Sequence, residues 1–160
     1  MALGDNTLRS AAGNSQRGRN PYMVQTTLNW ATALSDKGSA LAAADVIPVI
    51  AVPKGTMVLN AGIEVDTATD GSTFTVDLGM VDADVFVDGF DATSAAAVVA
   101  QNPAAYQPVM AVADDNIDVT IASLSGGAVS SGKFRVWAVL IDCTDMGDTA
   151  ANEVDRDTLA

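Results

Sequence analysis

The stretch KFRVWAVLIDC, residues 133–143 of this 160-residue chain, says most about its fold. Successive side chains of a β-strand point to opposite sides, and here both sides are apolar. One side would carry Phe134, Val136, Ala138 and Leu140. The other would carry Trp137, Val139 and Ile141 beside Arg135. The alternation therefore predicts a long strand that is covered on both faces.

Shorter strand-like segments occupy much of the remaining chain, most with the same period of two and one, residues 46–52, as an apolar run interrupted by Pro48. They are residues 24–30, 46–52, 56–66, 73–79, 84–88 and 117–121. About seven short strands with frequent turn signals indicate an all-β fold, an antiparallel β-sandwich or a jelly-roll-like body.

Proline, glycine and alanine add local detail to this pattern. Pro48 predicts an edge position or a bulge, because proline cannot donate a hydrogen bond to a neighbouring strand. The sequence Pro53-Lys54-Gly55 predicts a turn with proline in its first central position. The alanine-rich residues 95–100 predict a short helix that interrupts the strands.

Charge divides the chain into three parts. The whole carries 20 acidic residues, eight basic residues, no histidine and a net charge of −12. Residues 1–22, 23–143 and 144–160 carry net charges of +2, −10 and −4. Both end segments are polar and lack strand or helix periodicity. We therefore expect an extended N-terminal arm, a β-sandwich body and an extended acidic C-terminal tail with these boundaries.

This composition argues against several classes of function. Without histidine there is no Ser-His-Asp triad and no histidine ligand for a metal. Binding to duplex nucleic acid requires lysine and arginine to neutralise phosphates, which the negative charge opposes. No segment reaches the ~20 apolar residues that cross a membrane. We expect no enzyme activity, no cofactor, no small-molecule substrate, and neither nucleic acid nor membrane as a partner.

Two clusters of aspartates allow a chemical interpretation beside a structural one. Residues 82–91, DADVFVDGFD, could hold calcium, but their spacing departs from that of an EF-hand, and a solvated edge and turn explain them better. Asp114, Asp115 and Asp118 could pair carboxylates as glycosidases do, but nothing around them predicts the burial that raises a catalytic pKa. Cys143, the single cysteine, ends an apolar strand and fits a small core side chain.

The basic segment of the sequence lies in the arm, where Arg9, Arg17 and Arg19 stand among glycine, asparagine, serine and glutamine. A nucleic-acid-binding tail normally carries denser positive charge. Three spaced arginines are better suited to docking on an acidic protein surface. A segment of this composition buries too little apolar surface to order without a partner.

Six segments follow one another in a recognisable order. They are ADVI (44–47), AVPKGT (51–56), IEV (63–65), the strand 73–79, DGFD (88–91) and the closing strand after Ser131-Gly132. This order, over about residues 41–143, resembles that of capsid decoration (cement) proteins of tailed bacteriophages. Ala44 stands where that family often has glycine.

The resemblance implies a β-sandwich on the outside of an icosahedral head, with a mechanical role. The implied partners are the major capsid protein and neighbouring copies of the chain, in a homotrimer. The implied location is the capsid surface of the virion, after synthesis in the host cytoplasm. The extended termini would clamp neighbouring shell subunits, and the capsid-docking residues would be Arg9, Arg17, Arg19 and Tyr22.

Two other classes stay open. The first is another virion part, such as a head–tail connector, a tail component or a spike base, for which six-fold or twelve-fold symmetry would replace three-fold. The second is a carbohydrate-binding sandwich, which would need an exposed aromatic platform. Trp30 and Trp137 lie in strand patterns, which favour core or subunit-interface positions.

Overall fold

The computed structural model describes residues 20–94, 98–99, 108–125 and 129–143. Most of the predicted arm and all of the predicted tail lie outside the described residues. The described elements are β1 (Tyr22–Asn29), α1 (Trp30–Lys37), β2 (Val46–Val52), β3 (Thr56–Thr67), β4 (Thr73–Gly79), β5 (Val87–Asp91), β6 (Val98–Val99), β7 (Val109–Met110), β8 (Asp115–Ser125) and β9 (Lys133–Asp142).

The strands form two antiparallel sheets. The first has the order β1-β9-β3-β6, with β7 also paired to β3, and the second has the order β2-β8-β4-β5. The predicted all-β sandwich is thereby confirmed, and the strands predicted at 46–52 and 73–79 have the expected bounds. Within the described residues, no helix is long and apolar enough to span a membrane.

The core lies between the sheets and is built from alternate strand residues. On β9 the four side chains of one predicted face are buried, while Trp137, Val139 and Ile141 on the other face are half-buried. At its centre the Trp30 ring packs edge-to-face on Phe74 and Phe134, with ring centroids 4.8 and 5.2 Å apart. The three rings are fully buried, so they tie both sheets to the start of α1.

The two predictions based on Pro48 and Pro53 concern β2 and the turn that follows it. Strand β2 lies at an edge of its sheet, and its register shifts between Pro48 and Ile50, which confirms the edge position and the bulge. The turn after it also forms. The Thr56 N–H donates to the Pro53 carbonyl at 3.1 Å, which makes Lys54 and Gly55 the central residues. Gly55 has the positive φ, +84°, that a type II turn needs there. The central position predicted for the proline is therefore wrong.

The strand predicted over residues 24–30 ends one residue early, because a helix begins at Trp30. The Asn29 side chain accepts a hydrogen bond from the Ala31 N–H at 3.0 Å and so caps that helix. Gly38, with φ +69°, ends it in the left-handed conformation. Capping by Asn29 and Gly38 favours a helix from Trp30 onwards, although Trp30 continues the alternation of the strand before it.

Two further expectations differ from the structure. Val98–Val99 form β6 against Ile63 and Glu64 of β3, so the helix predicted over 95–100 is wrong at these positions; its other residues lie outside the described ones. Pairing with the edge of β3 satisfies the hydrogen bonding of backbone N–H and C=O groups in this segment. Helix propensity is too weak a preference to prevent that pairing. The strand expected at 84–88 forms instead at Val87–Asp91, because the Met80 and Val85 N–H groups donate to Asp82 O, at 3.0 and 3.5 Å, and close residues 80–85 into a turn.

Ala44, at the position where glycine is common in the family it resembles, has a left-handed φ of +69°. Its N–H donates to Ile121 O at 2.8 Å, which holds it in that conformation. We expect Ala44→Gly to raise the free energy of unfolding by about 0.5–1 kcal/mol, because relief of the Cβ strain exceeds the added chain entropy. Urea unfolding measures this, with Ala42→Gly as the control that should lower stability. Equal losses in both variants would contradict the prediction.

Candidate docking surface

Tyr22, the described member of the predicted docking set, is the first residue of β1. It lies opposite Leu140 of β9, and its side chain is 46% exposed. Arg9, Arg17 and Arg19 lie outside the described residues. The structure therefore places one of the four, at the point where the N-terminal segment joins the body.

The first strand begins and the last strand ends at the same end of the sandwich. We call this the terminal end, and it comprises residues 22–23, 53–57, 80–84, 110–115 and 141–143. Strand register assigns these segments to one end, because Tyr22 lies opposite Leu140, Thr56 opposite Asp142, Met57 opposite Met110, Val52 opposite Asp115 and Gly79 opposite Asp118.

Backbone hydrogen bonds tie the turns of the terminal end together. The Gly55 N–H donates to Ala111 O, and the Cys143 N–H donates to Gly55 O, both at 2.8 Å. The Lys54 N–H donates to the Asp114 carboxylate at 2.9 Å. The β2–β3 turn, the loop before β8 and the end of β9 thus form one braced frame.

Exposed apolar side chains are concentrated at this end. Six large apolar side chains of the described residues are exposed, and five of them lie at the terminal end: Val81 (91%), Val112 (77%), Met23 (62%), Tyr22 (46%) and Met110 (40%). The sixth, Val46, begins β2 at the far end of that strand. Sequence reasoning missed Met23, Val81, Met110 and Val112; the available signal was valine within two polar loop segments.

Carboxylates in and beside the acidic stretch 82–91 accept hydrogen bonds from nearby backbone N–H groups. Asp77 accepts a hydrogen bond from the Gly89 N–H at 2.7 Å, and Asp91 accepts one from Thr93 N–H at 2.9 Å. Burial, then the nearby Asp88 and Asp84, raise the pKa of Asp77. No three His, Cys, Asp or Glu side chains converge on a metal position within the described ranges. The hydrogen bonds of Asp77 and Asp91 fit the edge-and-turn interpretation of this stretch.

The carboxylates of the other cluster, Asp114, Asp115 and Asp118, have different surroundings. Asp114 accepts from Lys54 as described, and Asp115 accepts from the Asn116 N–H at 2.8 Å. Burial raises the pKa of Asp118, and the charge of Asp115 raises it further. Asp118 lies in β8 opposite Pro48 of β2 and Gly79 of β4, so neither of its cross-strand neighbours is an acid.

Asp70 connects the loop after β3 to the segment before β9. Its carboxylate accepts hydrogen bonds from Ser130 Oγ at 2.6 Å, Ser130 N at 2.9 Å and Ser131 N at 3.2 Å. The Ser130 side chain, followed by its backbone N–H, lowers the pKa of Asp70 to about 2.

The lowered pKa of Asp70 predicts an acid-dependent contribution to stability. In the unfolded chain the pKa is about 3.9, so the hydrogen bonds stabilise the fold above about pH 4 and are lost as pH falls towards 2. We expect Asp70→Asn to lower the free energy of unfolding by about 1 kcal/mol at pH 7 and to flatten its fall between pH 4 and 2. Urea unfolding across this range measures both, with the exposed Asp66→Asn as control. An unchanged slope for Asp70→Asn would contradict the assignment.

The remaining candidate residues divide between core and surface. Trp30 is buried, as expected for a core residue. Trp137 lies half-buried on the outer face of its sheet, with its ring against Gly62, where an added Cβ would lie 2.6 Å from the indole. Cys143 is exposed, so the core position predicted for it is wrong. Strand β9 ends at Asp142, which leaves the cysteine beyond the core at the terminal end.

No protein-family model and no curated protein matches the chain. Chains of three solved capsid structures share its fold. One, from the acid-stable capsid of Helicobacter pylori bacteriophage KHP30, is 14% identical with a TM-score of 0.50, over 78% of this chain and 89% of that one. One from the cyanophage Pam1 capsid is 20% identical, with a TM-score of 0.51 over 88% and 97%. One from the Ralstonia phage GP4 capsid is 18% identical, with a TM-score of 0.52 over 86% and 90%.

Proposed function

We propose that this chain is a capsid decoration, or cement, protein of a tailed bacteriophage. It would bind the outside of an icosahedral head and stabilise it by clamping neighbouring subunits of the major capsid protein. The observation that carries the proposal is the fold shared with chains of three phage capsids, with TM-scores of 0.50, 0.51 and 0.52. The order of segments over about residues 41–143 supports the same family from the sequence.

The proposed mechanism is additive clamping by a homotrimer. Each copy contributes a modest contact, and attachment at several points makes the total binding strong, because the later contacts form at high effective concentration. The arm residues Arg9, Arg17 and Arg19 would grip the shell, and Tyr22 would continue that contact onto the body. The role is mechanical, so it needs neither catalysis nor a cofactor, and a chain without histidine suits it.

The test is to add the purified protein to heads that lack it and to image them by electron cryomicroscopy. We expect density on the outer surface at positions of three-fold or local three-fold symmetry, with the sandwich fitting that density. Heads without added density would contradict the proposal. Density confined to the six-fold or twelve-fold tail axis would also contradict it, and would support a connector or tail component instead.

A further inference from the structure

We propose that the terminal end is the surface of the body that faces the shell, where it contacts an apolar area of the major capsid protein. The inference rests on the proposed function. It adds the orientation of the sandwich on the head and the chemistry of the contact.

The first observation is the placement of the exposed apolar side chains. Single exposed apolar residues are common on protein surfaces, whereas their concentration on one surface marks an interaction site. Val81 and Val112 lie in two different loops, while Met23 is the second residue of the edge strand β1 and Met110 lies in β7. The register of the two sheets brings these separate segments to one end.

The second observation is that this end is held in place before any partner binds. Three backbone hydrogen bonds brace it: the Gly55 N–H donates to Ala111 O, the Ala111 N–H donates to Thr56 O, and the Cys143 N–H donates to Gly55 O. A braced surface loses little conformational entropy on binding, so more of its contact energy appears as affinity. The opposite end of the sandwich carries α1 and the hydrogen bonds by which Asp70 joins the loop after β3 to the segment before β9. Those contacts connect parts of the fold to one another.

The third observation concerns the partner's chemistry and the path of the chain. The exposed carboxylates of Asp82, Asp84 and Asp114 border the apolar residues, so the area of the shell under the body is apolar at its centre and neutral or basic at its rim, and the acidic area that the arm would bind lies outside this rim. Residues 1–19 join the body at this same end. The arm and the body would therefore reach the same face of the shell.

Cys143 offers a direct probe of this orientation, because it is exposed at the terminal end. We expect a bulky maleimide to modify it at least about tenfold more slowly on shell-bound protein than on free protein, because the interior of an interface excludes solvent. The control is Ser35→Cys in a Cys143→Ser background. Ser35 is exposed on α1, at the far end of the sandwich, and should react equally fast in both states.

A pair of charge insertions tests the contact itself. We expect Val81→Asp with Val112→Asp to weaken shell binding by about tenfold or more, as loss of central apolar contacts does. Val46→Asp is the matched control, an exposed valine placed away from the terminal end, and should change binding by less than about twofold. Circular dichroism melts confirm that each variant is folded.

The outcomes separate this inference from the proposed function. Wild-type protein that does not bind heads contradicts both. Binding with Cys143 unprotected and the Ser35→Cys thiol protected retains the decoration role and overturns the orientation. If Val81→Asp with Val112→Asp dissociates the homo-oligomer while the protein still binds heads, the terminal end is a contact between copies, and the inference is also overturned.

Discussion

Truncation of Trp30 to alanine is expected to lower the free energy of unfolding by about 3–5 kcal/mol. The side chain is fully buried and packs on Phe74 and Phe134, whose rings come from the two facing sheets. Its backbone N–H also donates to Gly132 O at 3.1 Å, which ties the start of α1 to the segment before β9. Since domains of this size are stable by about 5–15 kcal/mol, this loss is a large fraction of the total.

The companion variant Trp30→Phe separates ring packing from hydrogen bonding. The Trp30 indole N–H has no hydrogen-bond partner among the described residues. Replacing Trp30 with phenylalanine therefore removes side-chain volume but no hydrogen bond, and we expect the free energy of unfolding to fall by about 1–2 kcal/mol. Urea unfolding followed by circular dichroism measures both variants. A loss below about 1 kcal/mol for Trp30→Ala would contradict the central position assigned to this ring.

Charge reversal in the arm is expected to abolish shell binding at physiological salt. Arg9→Glu, Arg17→Glu and Arg19→Glu together change the net charge of residues 1–22 from +2 to −4. Attraction to an acidic shell surface then becomes repulsion, which costs several kcal/mol where charges meet across an interface. Co-sedimentation of the protein with undecorated heads measures the occupancy.

The matched control for the arm is the triple replacement of the same arginines with lysine. It keeps the charge and loses the planar geometry of the guanidinium, so it should bind measurably. Raising the salt concentration should weaken the wild-type contact, because the Debye length falls from about 8 Å at physiological salt to about 3 Å at 1 M. Undiminished occupancy of the glutamate variant would contradict the role of the arm.

Alternation and short apolar runs were enough to predict most of the body. Strand β4 forms where polar and apolar residues alternate, whereas β2 and β9 form from largely apolar runs. The helix at Trp30 escaped prediction because Trp30, its first residue, continues the alternation of β1. Its signals were local: Asn29 as the N-cap and Gly38 as the C-terminal glycine. Alternation alone could not distinguish a continuing strand from the start of a helix at Trp30.

Long-range pairing explains the other differences. Val98–Val99 lie in an alanine-rich segment, but the open side of β3 accepts them as a strand. Propensity is a weak prior that tertiary contacts override. Cys143 was assigned to the core because the apolar run extends to it; the position where the sheet ends, set by Thr56 opposite Asp142, leaves it outside.

The docking surface was the least predictable feature. Tyr22 could be proposed from its position beside a basic arm. The exposed Val81 and Val112 could not, because they are 31 residues apart and meet at one end only through the register of β4 with β8. A surface assembled from several loops has no signature in any one of them. Its recognition required the strand pairings of both sheets.

The most direct measurement compares the temperature at which heads are disrupted with and without this protein. Undecorated heads are incubated with wild-type protein, with the arm variant, or with buffer, and heated while release of the packaged genome is followed with a DNA-binding dye. Decoration predicts a higher disruption temperature with wild-type protein and the buffer value with the arm variant. Heads that bind the wild-type protein at full occupancy and open at the buffer temperature would contradict a clamping role.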